Sequence, residues 1–523
     1  AGTKTAAKLK REDRSAEVIV ITKDRDISYA GCGLPYYVGG LIESRDELIV
    51  NTPQKYAALT GVEVRTGKEA IALDADKKEV TVRDTETGAE EVCSYDKLVL
   101  AVGASPATLP IEGTDKQGVF KMRTPDDAIA IRSYVEEKGV KKAVVIGAGF
   151  IGLEAAENLK AKGVQVTVID FAAQVLPNIV DPEMAAYTKK HLLREGIRVI
   201  TGTKAEEILG TEAVTGVKTT AGVLGCDLLI MAAGIRPNTE FLVDSGIEMF
   251  KGTILVDNTM KTNKEDVYAA GDCVMVTNRI TGKPQWSPMG SSANMEGRTL
   301  AQVLAGKNKT YPGVLGTGVV KLPGMNIGRT GLTEEQAKAA GYEVVTVVAP
   351  TDDKAHYYPD SSFFITKMIA DKDSHKLLGV QVFGPGAVDK MVDIAVMGIN
   401  MGAVLEDFEN ADFAYAPPFS TAIHPFVQVA YILLNKINGT LVSMTPAEYA
   451  AGKAKDYKVI DVSPVPTIHG ATYVELGKVN GEIEGLSKED KLLLVCARGK
   501  RSYFLQNRLS YYGYKNTVVL EGA

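Results

Sequence analysis

No run of apolar residues in this chain approaches the roughly 20 needed to cross a bilayer. The best, such as Val427 to Leu434, have the length of a strand or short helix, so a soluble, cytoplasmic protein with no membrane partner is expected. A surplus of basic charge is missing too: 59 Lys and Arg stand against 65 Asp and Glu, a net charge of −6. Binding to nucleic acid draws on counterion release by clustered cations, so no nucleic-acid partner is expected. Cysteine is scarce. The five thiols (Cys32, Cys93, Cys226, Cys273 and Cys496) are odd in number and widely spaced, without a C-x-x-C pair. That excludes a disulfide scaffold and a zinc site, and none of the five histidines has a partner at metal-ligand spacing. His424, followed by Pro425, reads as a structural residue at a helix start. Cys93, Cys226 and Cys273 are expected to be buried, reduced thiols. What remains is an ordinary globular composition, 45% hydrophobic and 24% charged, in 523 residues. At roughly 100–200 residues per domain this length allows about three to five domains. The N-terminus has neither Met nor an apolar signal core, and reads as a chain cut inside a motif.

The clearest local signal is Val144-Val145-Ile146-Gly147-Ala148-Gly149-Phe150-Ile151-Gly152, a buried strand entering G-x-G-x-x-G and then a helix. A second strand, Val164 to Ile169, ends in Asp170. The glycines let backbone approach a pyrophosphate, the helix start supplies partial positive charge, and Asp170 can accept hydrogen bonds from a ribose 2′-hydroxyl. Gly147, Gly149, Gly152 and Asp170 are thus the candidate nicotinamide dinucleotide site, and an acid without an adjacent Arg favours NADH over NADPH. Ala1-Gly2, a helix from Thr3 to Glu12 and a strand from Val18 to Ile21 read as a second such unit with its first strand missing. Leu98 to Pro106 and Leu228 to Asn238 are apolar strands turning at Gly and Pro, suited to crossing between domains. Val267 to Asp272 delivers a carboxylate to a glycine turn, where it could bind the hydroxyls of a flavin's ribityl chain.

The order of these segments resembles the pyridine nucleotide-disulfide oxidoreductases. Ile27-Ser28-Tyr29-Ala30-Gly31-Cys32-Gly33-Leu34-Pro35-Tyr36-Tyr37 is similar to the single-cysteine branch that includes coenzyme A disulfide reductase and NADH-dependent persulfide reductases. The resemblance implies an α/β chain with two Rossmann-like dinucleotide-binding domains. FAD would occupy one made from residues 1–110 and 245–320, and NADH an inserted one at 111–244. An α+β dimerisation domain at 321–442 would follow, making the protein a homodimer. Residues 443–523 carry Leu492-Leu493-Leu494-Val495-Cys496-Ala497-Arg498-Gly499-Lys500-Arg501-Ser502, similar to a rhodanese active-site loop, in an α/β domain that also looks cut. Such a loop points amides and a guanidinium, here Arg501, at the sulfur of Cys496.

The same resemblance assigns Gly2, Ala101, Gly103, Asp272 and Asn294 to FAD. It assigns Tyr415 in Phe413-Ala414-Tyr415-Ala416-Pro417-Pro418, and Tyr357 beside Tyr358, to the partner subunit's cysteine, where a phenol could protonate a leaving thiolate. Lys8, Arg11 and Ser28 match substrate-binding positions. Other positions depart from the pattern of coenzyme A disulfide reductase: Thr22 stands where an acid holds the FAD adenosine ribose, so FAD would be retained by other contacts, while Gly31 replaces an Asn and Thr60 and Ile423 two lysines, which weakens recognition of a polyanionic nucleotide.

Cys32 precedes a turn that opens a helix, a placement expected to lower its pKa. Without a second cysteine within a turn it must cycle against an external sulfur or oxygen species. The expected activity is NADH-dependent reduction of persulfide or polysulfide to sulfide, with Cys496 presenting sulfane sulfur. Coenzyme A disulfide reduction, NADH oxidase or peroxidase activity, and a low-turnover redox sensor are the competing readings.

Overall fold

The computed structural model describes residues 1–522, which divide into two compact units. The first comprises Ala1–Val175 and Leu193–Val314; the second comprises Leu176–Leu192 and the chain from Leu315 onward.

In the first unit, a five-stranded parallel sheet runs in the order Val119–Phe120, Leu228–Met231, Lys142–Ile146, Gln165–Ile169, Arg198–Ile200. Its strands are near-continuous Val, Ile and Leu because both faces are covered. Val144, Val145, Val168, Leu229 and Ile230 are all buried. The helix Phe150–Ala161 turns Leu153, Ala155, Ala156 and Leu159 inward. The glycine motif therefore lies at the carboxyl end of a central strand, where open α/β sheets bind ligands.

The same unit holds the helix Gly2–Glu12, packed along the helix Gly290–Leu304. The strand Ile19–Ile21 pairs in parallel with Glu63–Arg65, and Leu98–Leu100 with Val267–Ala269. The two expected crossing segments pair with each other, Ala104–Pro106 antiparallel to Ile235–Pro237. Asn238 Nδ2 then donates to the Val102 carbonyl at 2.9 Å. Cys226 and Cys273 are buried as expected, but Cys93 is only half-buried. It sits on Glu90–Ser94, an edge strand of a three-stranded antiparallel sheet, where one side has no neighbour.

The second unit is built on a five-stranded antiparallel sheet in the order Gly318–Leu322, Met325–Gly331, Leu377–Gly384, Phe363–Asp371, Val344–Asp352. The helices Val388–Met401 and Pro425–Ile437 close its core through Met391, Val392, Phe426 and Leu433. His424 caps the second of these helices, as expected, its ring accepting from the Phe426 amide. The span 111–244 is not held in one unit. Residues 176–192 belong here because Lys367, buried on the sheet, draws in their acids. Its ammonium lies 2.6 Å from Glu183, 2.8 Å from Glu334 and 3.3 Å from Asp181.

The same unit contains a five-stranded all-parallel sheet near the C-terminus, ordered Ser443–Met444, Thr517–Leu520, Leu492–Val495, Lys458–Asp461, Thr472–Tyr473. The helix Lys500–Tyr511 covers it through Leu505 and Leu509. Among the described residues no helix is long and apolar enough to cross a membrane.

Candidate active site

Each glycine of the G-x-G-x-x-G loop has its own reason. Gly147 has φ +112°, and a Cβ there would stand 2.2 Å from the Ala232 carbonyl oxygen. At Gly152 a Cβ would stand 1.9 Å from the Gly147 oxygen, so helix and loop touch through bare backbone. Gly149 caps the helix Phe150–Ala161 and has nothing within 4 Å on its side-chain side, leaving that face open at a helix start. Asp170 stands at the adjacent strand end, its carboxylate accepting from the amides of Ala148 at 2.6 Å and Ala172 at 2.7 Å. An open amide-rich helix start with an anchored acid beside it fits a dinucleotide.

The candidate flavin residues converge elsewhere in the same unit. Gly2 opens the first helix, where a Cβ would press on Ala101 at 3.1 Å, and Gly103 turns the following strand at φ +65°. Asp272 follows Gly271, whose φ of +93° makes the tight turn. Trp286 Nε1 donates to the Asp272 carbonyl at 2.8 Å, and burial pushes the Asp272 carboxyl above its usual range. Asn294 is exposed on the helix Gly290–Leu304, its amide donating to the Gly290 carbonyl at 2.8 Å. Sequence reasoning missed Glu296 on this helix. It is buried, accepts from the Gly271 amide at 2.7 Å, and is pushed up to about 7 by burial. Its only signal was an acid in an otherwise apolar face.

Cys32 occupies a single 3₁₀ turn, Gly31–Gly33, that runs into the helix Leu34–Gly39. The turn is tightly packed at Gly33, where a Cβ would stand 3.1 Å from Ile42 and 3.3 Å from Leu48 and Ala30. The thiol is exposed, yet its pKa is raised rather than lowered. Accessible as the residue is, the protein around it still desolvates a thiolate, and the carboxylates of Glu154 and Asp272 add repulsion. The short helix start does not outweigh these effects, which corrects the expectation from sequence.

Tyr36 and Glu154 were also missed. Tyr36, four residues after Cys32, donates to Glu154 at 3.2 Å, and burial, with Glu157 nearby, pushes Glu154 up to about 7. The available signals were the i, i+4 spacing from the cysteine and an acid two residues after Gly152.

The proposed substrate positions are dispersed. Lys8 pairs with Glu12, which also holds Lys307, so its charge is already neutralised. Arg11 is exposed on the same helix. Ser28 is half-buried on the strand Ser28–Tyr29, opposite Asn51.

In the second unit Tyr357 and Tyr415 come together, their hydroxyls 3.4 Å apart and both rings exposed. The hydrogen bond to Tyr357 raises the Tyr415 pKa, and Tyr358 takes no part in the pair. Cys496 is buried at the end of Leu492–Val495, within the core of the parallel sheet. Gly499, left-handed at φ +68°, bends the loop into the following helix. The expected guanidinium is otherwise engaged: Arg501 Nε donates to the Val462 carbonyl at 2.5 Å because that carbonyl ends a neighbouring strand. Arg498 pairs with Asp352 at 2.6 Å.

Residues 1–295 match the family model of the pyridine nucleotide-disulphide oxidoreductases, and residues 319–426 match the dimerisation domain of the same family. The chain belongs to that family, whose enzymes are oxidoreductases using FAD and a pyridine nucleotide. Among individual proteins, it is 36% identical over 438 residues to the NAD(P)H coenzyme A polysulfide/persulfide reductase of Pyrococcus horikoshii, covering 83% of this chain and 96% of that protein. It is 37% identical over 438 residues to an NADH oxidase of Methanocaldococcus jannaschii, covering 84% and 97%. The solved structure of a NAD-dependent persulfide reductase from A. fulgidus superposes with a TM-score of 0.94 at 34% identity, covering 100% of this chain and 97% of that one.

Proposed function

We propose that this chain is an NADH-dependent flavoenzyme that reduces the sulfane sulfur of persulfides or polysulfides to sulfide through Cys32. The observation that carries the reading is electrostatic convergence. Cys32 feels both Glu154, on the helix opened by the dinucleotide loop, and Asp272, at the candidate flavin turn. An exposed thiol influenced by one acid from each motif supports Cys32 as the group that both cofactors serve.

FAD, held by Gly2, Ala101, Gly103, Asp272 and Asn294, supplies two-electron transfer between NADH and sulfur when bound. The Cys32 thiolate attacks the outer sulfur of a persulfide. The S–S bond breaks, the organic thiolate leaves, and Cys32 carries the sulfane sulfur as its own persulfide. Return to the thiolate takes two electrons and releases hydrosulfide. Glu154, titrating at about 7 beside Tyr36, exchanges the proton that neutralises the leaving anion at neutral pH. Tyr415 and Tyr357 serve the Cys32 of a second copy, a homodimer supported by the dimerisation-domain match. Lys8 already neutralised by Glu12, with Gly31, Thr60 and Ile423 in place of an amide and two cations, favours a sulfur substrate smaller than coenzyme A disulfide.

For the C-terminal sheet we read a rhodanese-like module in which Cys496 receives and presents sulfane sulfur. Its support is a cysteine at the end of a central parallel strand, with a left-handed glycine leading into the covering helix. Consumption of NADH fits the cytoplasm.

The test is anaerobic NADH oxidation with polysulfide, coenzyme A persulfide and coenzyme A disulfide side by side, with sulfide assayed in parallel. Turnover with the first two and stoichiometric sulfide, lost in Cys32→Ser, is the expected result. Turnover with the disulfide alone moves the assignment to disulfide reductase, and turnover requiring oxygen moves it to NADH oxidase. Full sulfide release by Cys32→Ser refutes the role of the thiol.

A further inference from the structure

The helix Leu34–Gly39, into which Cys32 leads, is six residues long and packs against two longer helices, Phe150–Ala161 and Pro125–Lys138. The first of these is the helix opened by the glycine motif. Gly39 meets it through bare backbone: a Cβ there would stand 2.2 Å from Asn158 Oδ1. Three residues earlier in the chain, Tyr36 donates to Glu154 on the same helix.

From the helix Pro125–Lys138 comes Arg132, half-buried and without a part in the reaction proposed above. Its Nη1 donates to three carbonyls where the short helix ends, those of Tyr37 at 3.4 Å, Ile42 at 3.3 Å and Glu43 at 3.0 Å. The centre of the guanidinium lies 4.8 Å from the centre of the Tyr37 ring, a stacking distance for a cation. Its Nε pairs with Glu136 at 3.3 Å. Glu136 also holds Lys162 at 3.0 Å, the residue that caps the end of the helix Phe150–Ala161. One side chain thus ties the exit of the Cys32 helix to both neighbours. Carbonyls after a last helical turn lack partners within the helix, and a cation commonly takes them up. This helix is so short, under about two turns, that a displacement of its end displaces its start as well.

We propose that Arg132 is a positioning residue for the thiol: by fixing the end of the short helix it holds Cys32 and Tyr36 against Glu154. This role rests on the reading of Cys32 as the reacting thiol. The bond from Tyr36 to Glu154 fixes one point of the helix, and the contacts of Arg132 with residues 37–43 supply a second. The charges that bear on Cys32 are Glu154 and Asp272, with Glu157 acting on Glu154, and Arg132 is not among them. Position and charge therefore predict opposite signs. Loss of a nearby cation would raise the thiol pKa further. Loss of a positioning contact lets the thiolate reach water and draw away from Glu154, which lowers it.

The experiment is alkylation of the FAD-loaded full chain by iodoacetamide as a function of pH, followed at Cys32 by peptide mass. Wild type, Arg132→Gln and Arg132→Lys are compared, each with and without Glu154→Gln. Lysine keeps the charge, but its one nitrogen cannot serve Glu136 and the three carbonyls together, as two guanidinium nitrogens do. Both Arg132 variants should move the midpoint of the profile to lower pH by about one unit. Glu154→Gln should then shift their profiles by less than it shifts the wild type. In turnover, kcat/KM for persulfide should fall about tenfold while kcat/KM for NADH is unchanged, since only the sulfur half of the cycle uses the thiol. A merely structural role would lower the unfolding midpoint and leave the alkylation profile in place. A wild-type profile, or one moved to higher pH, in either folded Arg132 variant overturns the proposal. So does a Glu154→Gln shift as large in those variants as in the wild type. Alkylation reads the position of the thiol whatever its acceptor, so a wild type that releases no sulfide refutes the persulfide reading alone.

Discussion

Two alanine substitutions in one glycine motif should fail in opposite ways. At Gly152 the new Cβ would lie 1.9 Å from the Gly147 oxygen, where ordinary contact begins at 3.4 Å. Loop and helix must part by about 1.5 Å, in a region where Val145 and Leu153 are fully packed, and strain of that kind costs on the order of 1–3 kcal/mol. Gly149 has φ −80° and open space, so Gly149→Ala should cost under about 1 kcal/mol, the loss of a preferred cap. Its methyl would instead occupy the face through which a pyrophosphate meets the helix start. Denaturant unfolding and NADH titration separate the two. Gly152→Ala should lower the midpoint of unfolding and weaken NADH binding together. Gly149→Ala should leave the midpoint near wild type yet raise KM for NADH by about tenfold or more, since an ångström of misplacement costs about a hundredfold in a tightly positioned site. Flavin reduction by dithionite should be unchanged in Gly149→Ala. A Gly149→Ala protein that binds NADH normally would refute the assignment of this loop.

Lys367→Met should destabilise the second unit by about 3–5 kcal/mol, because it strands the buried Asp181 and Glu183 without their cation and leaves Glu334 with Lys338 alone, and Glu183→Gln in the same background should restore part of the loss. The Glu334 carboxyl is held down at about 2, chiefly against burial by Lys367, so its contribution is present above the ordinary carboxylate range and lost as pH falls from about 4.5 toward 2; acid titration of the wild-type unfolding midpoint checks the sign. For Cys32, alkylation should accelerate with pH beyond the range of an ordinary thiol. Glu154→Gln should move that profile to lower pH by removing a nearby negative charge, whereas a profile that does not move would show that burial alone sets it. Cys496→Ser should abolish sulfur transfer from thiosulfate to cyanide while NADH-dependent reduction of added persulfide continues.

Elements with strong local patterning are legible in the residues themselves. The glycine strand, the crossing segments and the strand ahead of Asp272 all form where residue pattern alone puts them, since buried parallel strands and tight glycine turns are dictated by neighbours in sequence. Tyr357 and Tyr415 are named one by one through resemblance and not through spacing, and nothing in the sequence announces that their hydroxyls lie 3.4 Å apart. What escaped depends on partners distant in sequence. The segment 176–192 joins the second unit because one buried lysine far along the chain holds its acids. Arg501 is claimed by a carbonyl 39 residues away in sequence. Glu154 and Tyr36 are separated by 118 residues, and no periodicity in either helix announces their contact.

That contact bears on the choice of substrate. A raised thiol pKa lowers the thiolate fraction at neutral pH, but each thiolate is then a stronger nucleophile, because nucleophilicity falls as pKa falls. Such a thiol is poorly suited to waiting as a stable anion beside a polyanionic disulfide, which Glu154 and Asp272 would also repel. It is better suited to a small acceptor with a weak S–S bond and a good leaving group. The same two carboxylates disfavour retention of hydrosulfide once it forms, and with Glu154 poised at about 7 a proton is at hand to release it as neutral hydrogen sulfide. In the proposed reaction, then, the acids around Cys32 act more on what leaves the site than on the readiness of the thiol. Glu154→Gln should accordingly slow product release at neutral pH even as it makes the thiol ionise more easily. Pre-steady-state measurement of Cys32 persulfide formation against sulfide release would separate the two effects, and a variant in which both steps accelerate would refute this account.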